Sequence, residues 1–363
     1  MIPIARPILG HEEIEAVAAV LRSGRIAQGQ LVEEFERQFA KIVGARFAVA
    51  VSNGTAALHV ALLAHGIEPG DEVITSPFTF VATSNAVLHA GARPVFAEIS
   101  PDTFNLDPKG IEARITPRTK AILPVHLYGH PADMPAIGRI AARHGLTVIE
   151  DACQAHGAAI GGRPIGSLNT SCFSFYATKN ITTAEGGIVT TDDEGIAERL
   201  RMLRSHGQRE RYHHELLGYN YRLTDLQAAI GLAQLRRLEE LTQTRIANAE
   251  YLSARLKGVA TPTVRPGYRH VYHQYTVRVP GDRDEAARLL NEAGVGTGVH
   301  YPLPTYRQRL YVELGYRDHL PETERACREV LSLPVHPSLT ETELATIVRA
   351  VESLAGGARK LAA

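Results

Sequence analysis

The amino-acid sequence predicts an α/β protein in which helices sandwich a mostly parallel sheet, followed by a smaller C-terminal α+β domain. In the first half, short β-branched runs alternate with helical periodicities, and this alternation is typical of βαβ units. The 363 residues are too many for one small core. A long helical stretch from Thr224 to Leu256 then separates the alternating part from a segment of mixed order. We therefore predict a large domain over 1–240 and a small domain over 241–363.

Each predicted element has a local cause. Apolar residues recur at helical spacing in 11–23 and 31–43, and Gly24 and Gly44 end these helices. Short apolar runs such as FAVAV at 47–51 suit buried parallel strands. The further predicted helices are Ala56–His65, Phe80–Ala90, Ile137–His144, Asp284–Ala293, Glu322–Leu331 and Thr340–Leu354. The further predicted strands are Glu72–Ser76, Pro94–Glu98, Lys120–Val125, Thr147–Asp151 and Gln274–Val279, with a hairpin at Gly157–Gly166.

Composition excludes several classes of protein. Lys+Arg and Asp+Glu both number 39, so bulk charge indicates no nucleic-acid surface. No apolar run is long enough to span a bilayer, and the N-terminus lacks the apolar core of a signal peptide. We therefore expect a cytoplasmic protein with no membrane partner. Three cysteines without C-x-x-C spacing argue against disulfides and structural zinc.

The stretch from Ser171 to Asp193 carries the first chemical signal. An apolar, aromatic run ends shortly before Lys179, and small and hydroxyl residues follow that lysine. Desolvation at the end of a buried strand lowers the pKa of a lysine, and the amine then becomes a nucleophile that can form a Schiff base. The ordinary alternative is a surface lysine in a hairpin loop, so partners elsewhere in the chain must decide.

Two other strand ends supply such partners. The strand at 47–51 leads directly to Gly54 and Thr55 at the start of a helix, where free amides and a hydroxyl suit a phosphate. The alternative there is ordinary helix capping by Ser52 or Thr55. Asp151 ends the run LTVIE, and a buried carboxylate needs a partner. An arginine, a helix N-terminus or a protonated pyridine nitrogen would each serve.

Histidine pairs invite a metal interpretation, which we reject. The pairs are His213 with His214, beside Glu215, and His126 with His130. No H-E-x-x-H motif occurs and neither pair has an obvious third ligand, so we predict no metal site. The sequence also lacks a G-x-S-x-G elbow, a Walker loop and a G-x-G-x-x-G turn after a strand.

Eight segments in order give the chain a family likeness. They are ARPILGHEEIEAV, SNGTAAL, PFTFVATSNAV, VIEDACQAHG, SFYATKNITTAEGG, GYNYRLTDLQAA, HYPLP and LSLPVHPSL. Together they resemble the DegT/DnrJ/EryC1/StrS sugar aminotransferases, which have the fold-type I architecture and depend on pyridoxal 5'-phosphate. The likeness extends over essentially the whole chain.

The resemblance implies a role for each matching residue. Lys179 would form the covalent internal aldimine with pyridoxal 5'-phosphate, Asp151 would pair with the pyridine nitrogen and Gln154 would lie at the phenolic oxygen. The positions matching phosphate contacts are Gly54, Thr55 and Ser174, and Phe80 matches the aromatic residue stacked on the ring. Asn220 matches a residue that reaches the phosphate of the neighbouring subunit in a homodimer with shared active sites, although Arg222 could take that role. Substrate contacts are expected from Arg222, His300 and Tyr301.

The same resemblance implies transamination of a nucleotide-linked keto sugar with glutamate as the amino donor. The form AEGG at 184–187, where many relatives have GEGG, favours amination at C4. Tyr176 and Ala177 stand where many relatives carry histidine and proline, which leaves the exact sugar open. The alternatives are a 3-keto sugar aminotransferase and a non-catalytic, cofactor-binding regulatory relative.

Overall fold

The fold is described from a computed structural model covering residues 1–361, with side-chain surroundings through residue 354. The helices are α1 His11–Ser23, α2 Gln30–Val43, α3 Gly54–Ala64, α4 Ala82–His89, α5 Pro108–Ile111, α6 Met134–His144, α7 Glu194–Arg204, α8 Asp225–Arg236, α9 Leu238–Arg255, α10 Arg283–Glu292, α11 Arg309–Glu313, α12 Pro321–Glu329 and α13 Glu341–Leu361. Short 3₁₀ helices cover Glu112–Arg114, Leu127–Gly129 and Thr305–Arg307. In this part of the chain no helix has the length and apolar character needed to cross a membrane.

The strands form one large sheet and three small ones. They are β1 Phe47–Val51, β2 Glu72–Thr75, β3 Arg93–Phe96, β4 Thr119–Leu123, β5 Thr147–Asp151, β6 Ala159–Ile160, β7 Arg163–Pro164, β8 Thr170–Ser174, β9 Gly187–Thr191, β10 Gln208–Glu210, β11 His213–His214, β12 Tyr268–Arg269, β13 Tyr275–Arg278 and β14 Val330–Leu333. The large sheet has seven strands in the order β1-β9-β8-β5-β4-β2-β3. The predicted hairpin is present as β6 and β7, and β12 extends it to three strands.

The prediction of a mostly parallel sheet is confirmed. Every neighbouring pair from β3 to β8 is parallel, and only β9 runs against both of its neighbours. The carboxyl ends of β1, β5 and β8 therefore meet at one edge, where parallel sheets place their ligands.

Alternation along β1 shows how helices cover both faces of the sheet. Val49 and Val51 pack into a cluster with α3 and α4, whereas Ala48 and Ala50 pack into a second cluster with α2 and α8. Successive strand side chains point to opposite faces, so a strand that is apolar on both sides is buried on both sides. This burial on both faces explains why the run FAVAV is apolar at every position.

The C-terminal part builds its own apolar cluster around β13, β14 and the helices α9, α10 and α13. Ile2 from the N-terminus also packs into this cluster, and α9 begins at Leu238. The domain boundary at residue 240 stays a prediction.

One predicted element is wrong in part. The expected helix Glu322–Leu331 ends at Glu329, and Val330–Leu333 is a strand paired with β13. A short apolar run after a helix fits helix or strand equally well, and only the partner strand decides.

Candidate active site

A pocket of about 780 Å³ opens at the carboxyl edge of the large sheet. Nine of the eleven residues predicted for the site line it. They are Gly54, Thr55, Phe80, Asp151, Gln154, Ser174, Lys179, His300 and Tyr301. The other two, Asn220 and Arg222, are not among its lining residues.

Lys179 lies on the turn between β8 and β9 and is half-buried. Its backbone N–H donates to the Tyr176 carbonyl at 2.9 Å, which closes the turn. Burial lowers the pKa of the Lys179 amine, and the nearby Cys153 and Asp151 partly oppose this shift. The structure thus gives this lysine the desolvated setting that a nucleophilic amine requires.

Asp151 ends β5 with its carboxylate buried at the edge of the sheet. Oδ2 accepts a hydrogen bond from the Thr83 hydroxyl at 2.7 Å, and Oδ1 accepts one from the Cys153 amide at 3.1 Å. Among the residues whose side chains are described, no lysine or arginine forms an ion pair with this carboxylate. The arginine considered as a partner is absent from the described residues. The Thr83 hydroxyl comes from the first turn of α4, and the Lys179 amine lies near enough for Asp151 to oppose the lowering of its pKa.

Sequence reasoning missed Thr83, although it lies inside the segment PFTFVATSNAV that carried the family likeness. Thr83 is on α4, and only the packing of α4 beside β5 brings its hydroxyl to Asp151.

Gln154 is held in one orientation by two tyrosines. Its Oε1 accepts from the Tyr128 backbone N–H at 2.7 Å, and its Nε2 donates to the Tyr301 hydroxyl at 3.3 Å. The Tyr128 hydroxyl donates in turn to the His300 carbonyl. Burial raises the pKa of Tyr301 well above its usual range, so that phenol stays protonated at neutral pH. Tyr128 carried no signal in the sequence.

The start of α3 forms a narrow cradle against the end of β8. Helix α3 begins at Gly54, two residues earlier than predicted, and a Cβ on that glycine would lie 2.7 Å from the Ser174 Cβ and 3.1 Å from the Cys153 Sγ. Only glycine permits this approach. The N-cap is Asn53, whose Oδ1 accepts from the Ala56 N–H at 2.8 Å, so the helix capping considered as the alternative is made by Asn53 and not by Ser52 or Thr55.

The cradle suits an anion. The first amides of a helix have no partner within it, and the positive end of the helix dipole points outward at that position. The Thr55 and Ser174 side chains line the pocket beside these amides. A phosphate group fits this donor set.

Two aromatic rings form a wall of the pocket. The ring centroids of Phe80 and Tyr301 lie 6.3 Å apart and the rings are tilted by 39°. Phe80 precedes α4 instead of starting it, and 58% of its surface is exposed at the pocket mouth. A flat ring could stack on this exposed face.

Histidines account for much of the remaining lining. Burial lowers the pKa of His300 to about 4, and its Nδ1 lies 2.9 Å from the Ser332 hydroxyl. Burial likewise lowers the pKa of His59 to about 4 and that of His273 well below its usual range. These rings are therefore neutral at pH 7. The lining contains no arginine within the described chain, and Lys179 is its one lysine.

Asn220 and Arg222 lie on the segment that follows the small β10–β11 hairpin. Asn220 is exposed and forms an isolated bridge with Ser205. The neighbouring Tyr221 reaches the pocket instead, where its hydroxyl lies 3.3 Å from the His59 Nδ1. A role for Asn220 in the pocket of the same chain has no support in this geometry.

The histidines weighed as metal ligands have other partners. His126 accepts from the Ala132 N–H at its Nδ1, so its Nε2 carries the proton and donates to the Glu150 carboxylate at 2.7 Å. His130 lies against the Pro131 carbonyl and the Arg265 amide. The described residues contain no group of three or more side chains arranged to hold a metal ion.

The residues present fit pyridoxal 5'-phosphate. A buried carboxylate without an ion-pair partner suits a protonated ring nitrogen, and the cradle at Gly54 suits the phosphate. The amine with the lowered pKa lies in the same pocket, and an exposed aromatic face borders it.

Comparison with known proteins agrees with this geometry. Residues 7–352 match the DegT/DnrJ/EryC1/StrS aminotransferase family. The chain is 44% identical to a pleiotropic regulatory protein of Geobacillus stearothermophilus over 351 residues, covering 94% of both chains. It is 42% identical to the spore coat polysaccharide biosynthesis protein SpsC of Bacillus subtilis over 381 residues, covering 98% of both. The solved structure of S. venezuelae DesV with a ketimine intermediate is similar at a TM-score of 0.92 and 44% identity, with 95% of this chain and 94% of DesV covered.

Proposed function

We propose that this chain aminates a nucleotide-linked 4-keto sugar with glutamate as the amino donor. The premise is that the chain belongs to the DegT/DnrJ/EryC1/StrS aminotransferase family and is a pyridoxal-phosphate-dependent sugar transaminase. One observation carries the assignment of the site. A lysine amine with a lowered pKa and a buried carboxylate without an ion-pair partner line the same pocket, beside a cradle for phosphate.

Each residue role follows from this arrangement. Lys179 would hold the cofactor covalently, Asp151 would face its ring nitrogen and Gln154 its phenolic oxygen. Gly54, Thr55 and Ser174 would hold the phosphate, and Phe80 would cover the ring. When bound, the cofactor supplies an electron sink that stabilises negative charge at the carbon bearing the amine.

The protein side chains supply the proton chemistry. The Nζ of Lys179, whose pKa is lowered by burial, can in its unprotonated form take a proton from substrate and return it as the acid. Asp151 stays oriented through the Thr83 and Cys153 hydrogen bonds. The neutral wall of Tyr301 and His300 keeps water from one side of the pocket without adding charge.

Two observations support a large sugar substrate. The pocket of about 780 Å³ leaves room beyond a cofactor, and SpsC, a relative, is named for polysaccharide biosynthesis. The AEGG segment favours C4 over C3. Ala184 itself is outside the pocket lining and has a positive φ of 68°, whereas its neighbour Glu185 lines the pocket. A 3-keto sugar is the alternative substrate.

The charge of the lining supports shared sites in a homodimer. The cofactor phosphate, the carboxylates of glutamate and a nucleotide diphosphate are all anionic, yet the lining of one chain offers no arginine. We propose that the segment bearing Asn220 and Arg222 completes the pocket of the partner subunit. We also propose a cytoplasmic location, where nucleotide sugars are made.

Amino transfer can be tested with nitrogen-labelled glutamate. Purified protein would be given glutamate labelled at nitrogen and a series of nucleotide-linked 4-keto and 3-keto sugars, and the products read by mass spectrometry. Label in a 4-amino sugar supports the proposal. Label only in a 3-amino sugar would overturn the C4 assignment, and label from another amino acid would overturn the donor.

The printed name of one relative favours a second candidate, a regulatory protein that binds the cofactor without turnover. The Lys179 and Asp151 pair argues against it. Failure of every keto sugar, with cofactor bound and fixed to Lys179 by borohydride, would favour this candidate.

A further inference from the structure

Two threonine hydroxyls lead in series to the Asp151 carboxylate. The Thr83 Oγ1 lies 2.7 Å from the Asp151 Oδ2 and 3.0 Å from the Thr79 Oγ1. Thr83 is 1% exposed and Thr79 is 5% exposed, and both line the pocket together with Asp151. Little water reaches these two hydroxyls, and a hydrogen bond in such surroundings is stronger than one at the surface. We call Thr79 and Thr83 the threonine pair.

The protons available to the threonine pair fix the direction of its hydrogen bonds. The Thr83 hydroxyl has one proton and three neighbouring oxygens, which are the Asp151 Oδ2, the Thr79 Oγ1 and the Phe80 carbonyl at 3.2 Å. An ionised carboxylate only accepts, and Oδ2 is the nearest of the three oxygens, so Thr83 donates to Asp151. The Thr79 hydroxyl then donates to the Thr83 oxygen. Each donor polarises the next, so both strengthen the bond that the carboxylate receives.

The Thr79 hydroxyl does not serve as an ordinary helix cap. A threonine just before a helix often accepts a hydrogen bond from a backbone amide of the first turn. Helix α4 has no side-chain cap of this kind, and the Thr79 hydroxyl meets the Thr83 hydroxyl instead. The threonine pair also flanks Phe80 in the sequence. One turn therefore supplies both the exposed ring at the pocket mouth and the donors to the carboxylate.

We propose that Thr79 and Thr83 are positioning residues that act through Asp151. Their one-way hydrogen bonds keep the carboxylate ionised and oriented, so that the ring nitrogen of the cofactor holds its proton. Hydrogen bonds donated to a carboxylate favour its charged form, and a protonated ring nitrogen is the better electron sink. This inference rests on the proposed role of Asp151, and the experiment below separates the two.

The direct test is the protonation of the cofactor ring, read by ¹⁵N NMR of holoenzyme loaded with cofactor labelled at that nitrogen. Thr83→Val keeps the shape of the side chain and removes the hydroxyl. The ratio of protonated to unprotonated ring nitrogen should fall about tenfold, because the carboxylate loses its main donor. The ¹⁵N signal should move towards the value of an unprotonated pyridine, and kcat should fall in parallel. Thr83→Ser restores the hydroxyl and should restore the signal.

Ser84→Ala is the matched control. Ser84 is a fully buried hydroxyl next to Thr83 on α4, but it does not line the pocket. Its removal should leave the ¹⁵N signal in place. A Thr83→Val enzyme that loses activity or Tm while its ¹⁵N signal stays at the wild-type value would show a merely structural role and overturn the proposal.

Thr79→Val tests the outer member of the pair and carries the test if Thr83→Val does not fold. It leaves the Thr83 bond to Asp151 and removes only its polarising donor, so the ratio should fall about twofold in the same direction. An unmoved signal in Thr79→Val would remove Thr79 from the proposal. Asp151→Asn gives the reference for a lost carboxylate. If its ring nitrogen stays protonated, the role of Asp151 itself is wrong; if that nitrogen loses its proton but the Thr83→Val signal does not move, only the threonine pair is refuted.

Discussion

Two sides of the pocket differ in how their side chains are held. On the sheet side, Asp151 and Ser174 end the strands β5 and β8, and Gly54 starts the helix after β1, so regular secondary structure fixes all three. On the opposite side, His300 and Tyr301 lie outside the large sheet and are fixed by side-chain contacts to Ser332 and Gln154. The rigid side bears the reactive groups, and the other side closes the pocket.

This difference predicts separate effects for substitutions on the two sides. Changes on the sheet side should lower turnover or cofactor binding, whereas changes on the closing side should chiefly alter the KM for the sugar.

Lys179→Ala should lower transamination by at least about 10⁴-fold, because both the covalent attachment and the proton carrier are lost. Steady-state rates and loss of borohydride fixation would be measured together. The exposed Lys41→Ala variant is the control and should keep full activity. A Lys179→Ala enzyme with turnover near wild type would overturn the site.

Asp151→Asn should reduce kcat by about 10²-fold or more, because a neutral amide cannot stabilise a protonated ring nitrogen. Its neighbour Glu150 is the matched control. Glu150 bonds to His126 and Asn169 away from the pocket, so Glu150→Gln should lose stability but keep kcat. Equal losses of kcat in both variants would mean that damage to strand β5, and not the loss of the Asp151 charge, lowers kcat.

His156→Phe should stabilise the protein in acid. The ring lies between Phe173 and Phe175 with neither nitrogen bonded, and burial lowers the pKa of His156 to about 3. The unfolded histidine titrates near pH 6.5, so stability is lost as pH falls from 6.5 towards 3. Phenylalanine removes this proton uptake and should raise the unfolding free energy at pH 4.5 by on the order of 2 kcal/mol relative to wild type.

Urea unfolding at pH 7.5 and at pH 4.5 would measure that gain. The partially exposed His144→Phe variant is the control, since it should change the pH dependence little. A gain of equal size at both pH values would indicate better packing instead of lost protonation.

Gly54→Ala should weaken cofactor binding about tenfold or more, because its Cβ would meet the Ser174 Cβ at 2.7 Å and push the cradle open. Equilibrium titration of the cofactor-free protein would give the Kd. Gly138 on α6 has no atom within 4 Å of the position of a Cβ, so Gly138→Ala should bind the cofactor normally.

Tyr301→Phe should have the smallest effect, about a threefold rise in KM for the sugar with kcat nearly unchanged. The change removes only the hydrogen bond to Gln154, which the Tyr128 amide still holds. Tyr275→Phe is the control, because the Tyr275 hydroxyl lies 2.9 Å from the Ser253 hydroxyl and neither residue lines the pocket. If Tyr301→Phe lost as much kcat as Asp151→Asn, the proposed difference between the two sides of the pocket would be wrong.

The sequence determined the sheet and the strand ends. Runs such as FAVAV and LTVIE favour buried strands between helices, and parallel strands bring their carboxyl ends together. This is why Gly54 and Asp151 were predicted together with the strand that leads to Lys179, whereas Ser174 was expected from the family resemblance. All four residues line one pocket, although their individual roles stay predictions.

Only the tertiary structure determined the contacts between residues that lie far apart in the sequence. The Thr83 bond to Asp151 depends on how α4 packs, and the strand at Val330–Leu333 depends on its partner β13. The position of Asn220 outside the lining of its own pocket is likewise invisible to periodicity. Local patterns encode secondary structure and burial, whereas a contact between distant residues depends on the packing of the whole chain.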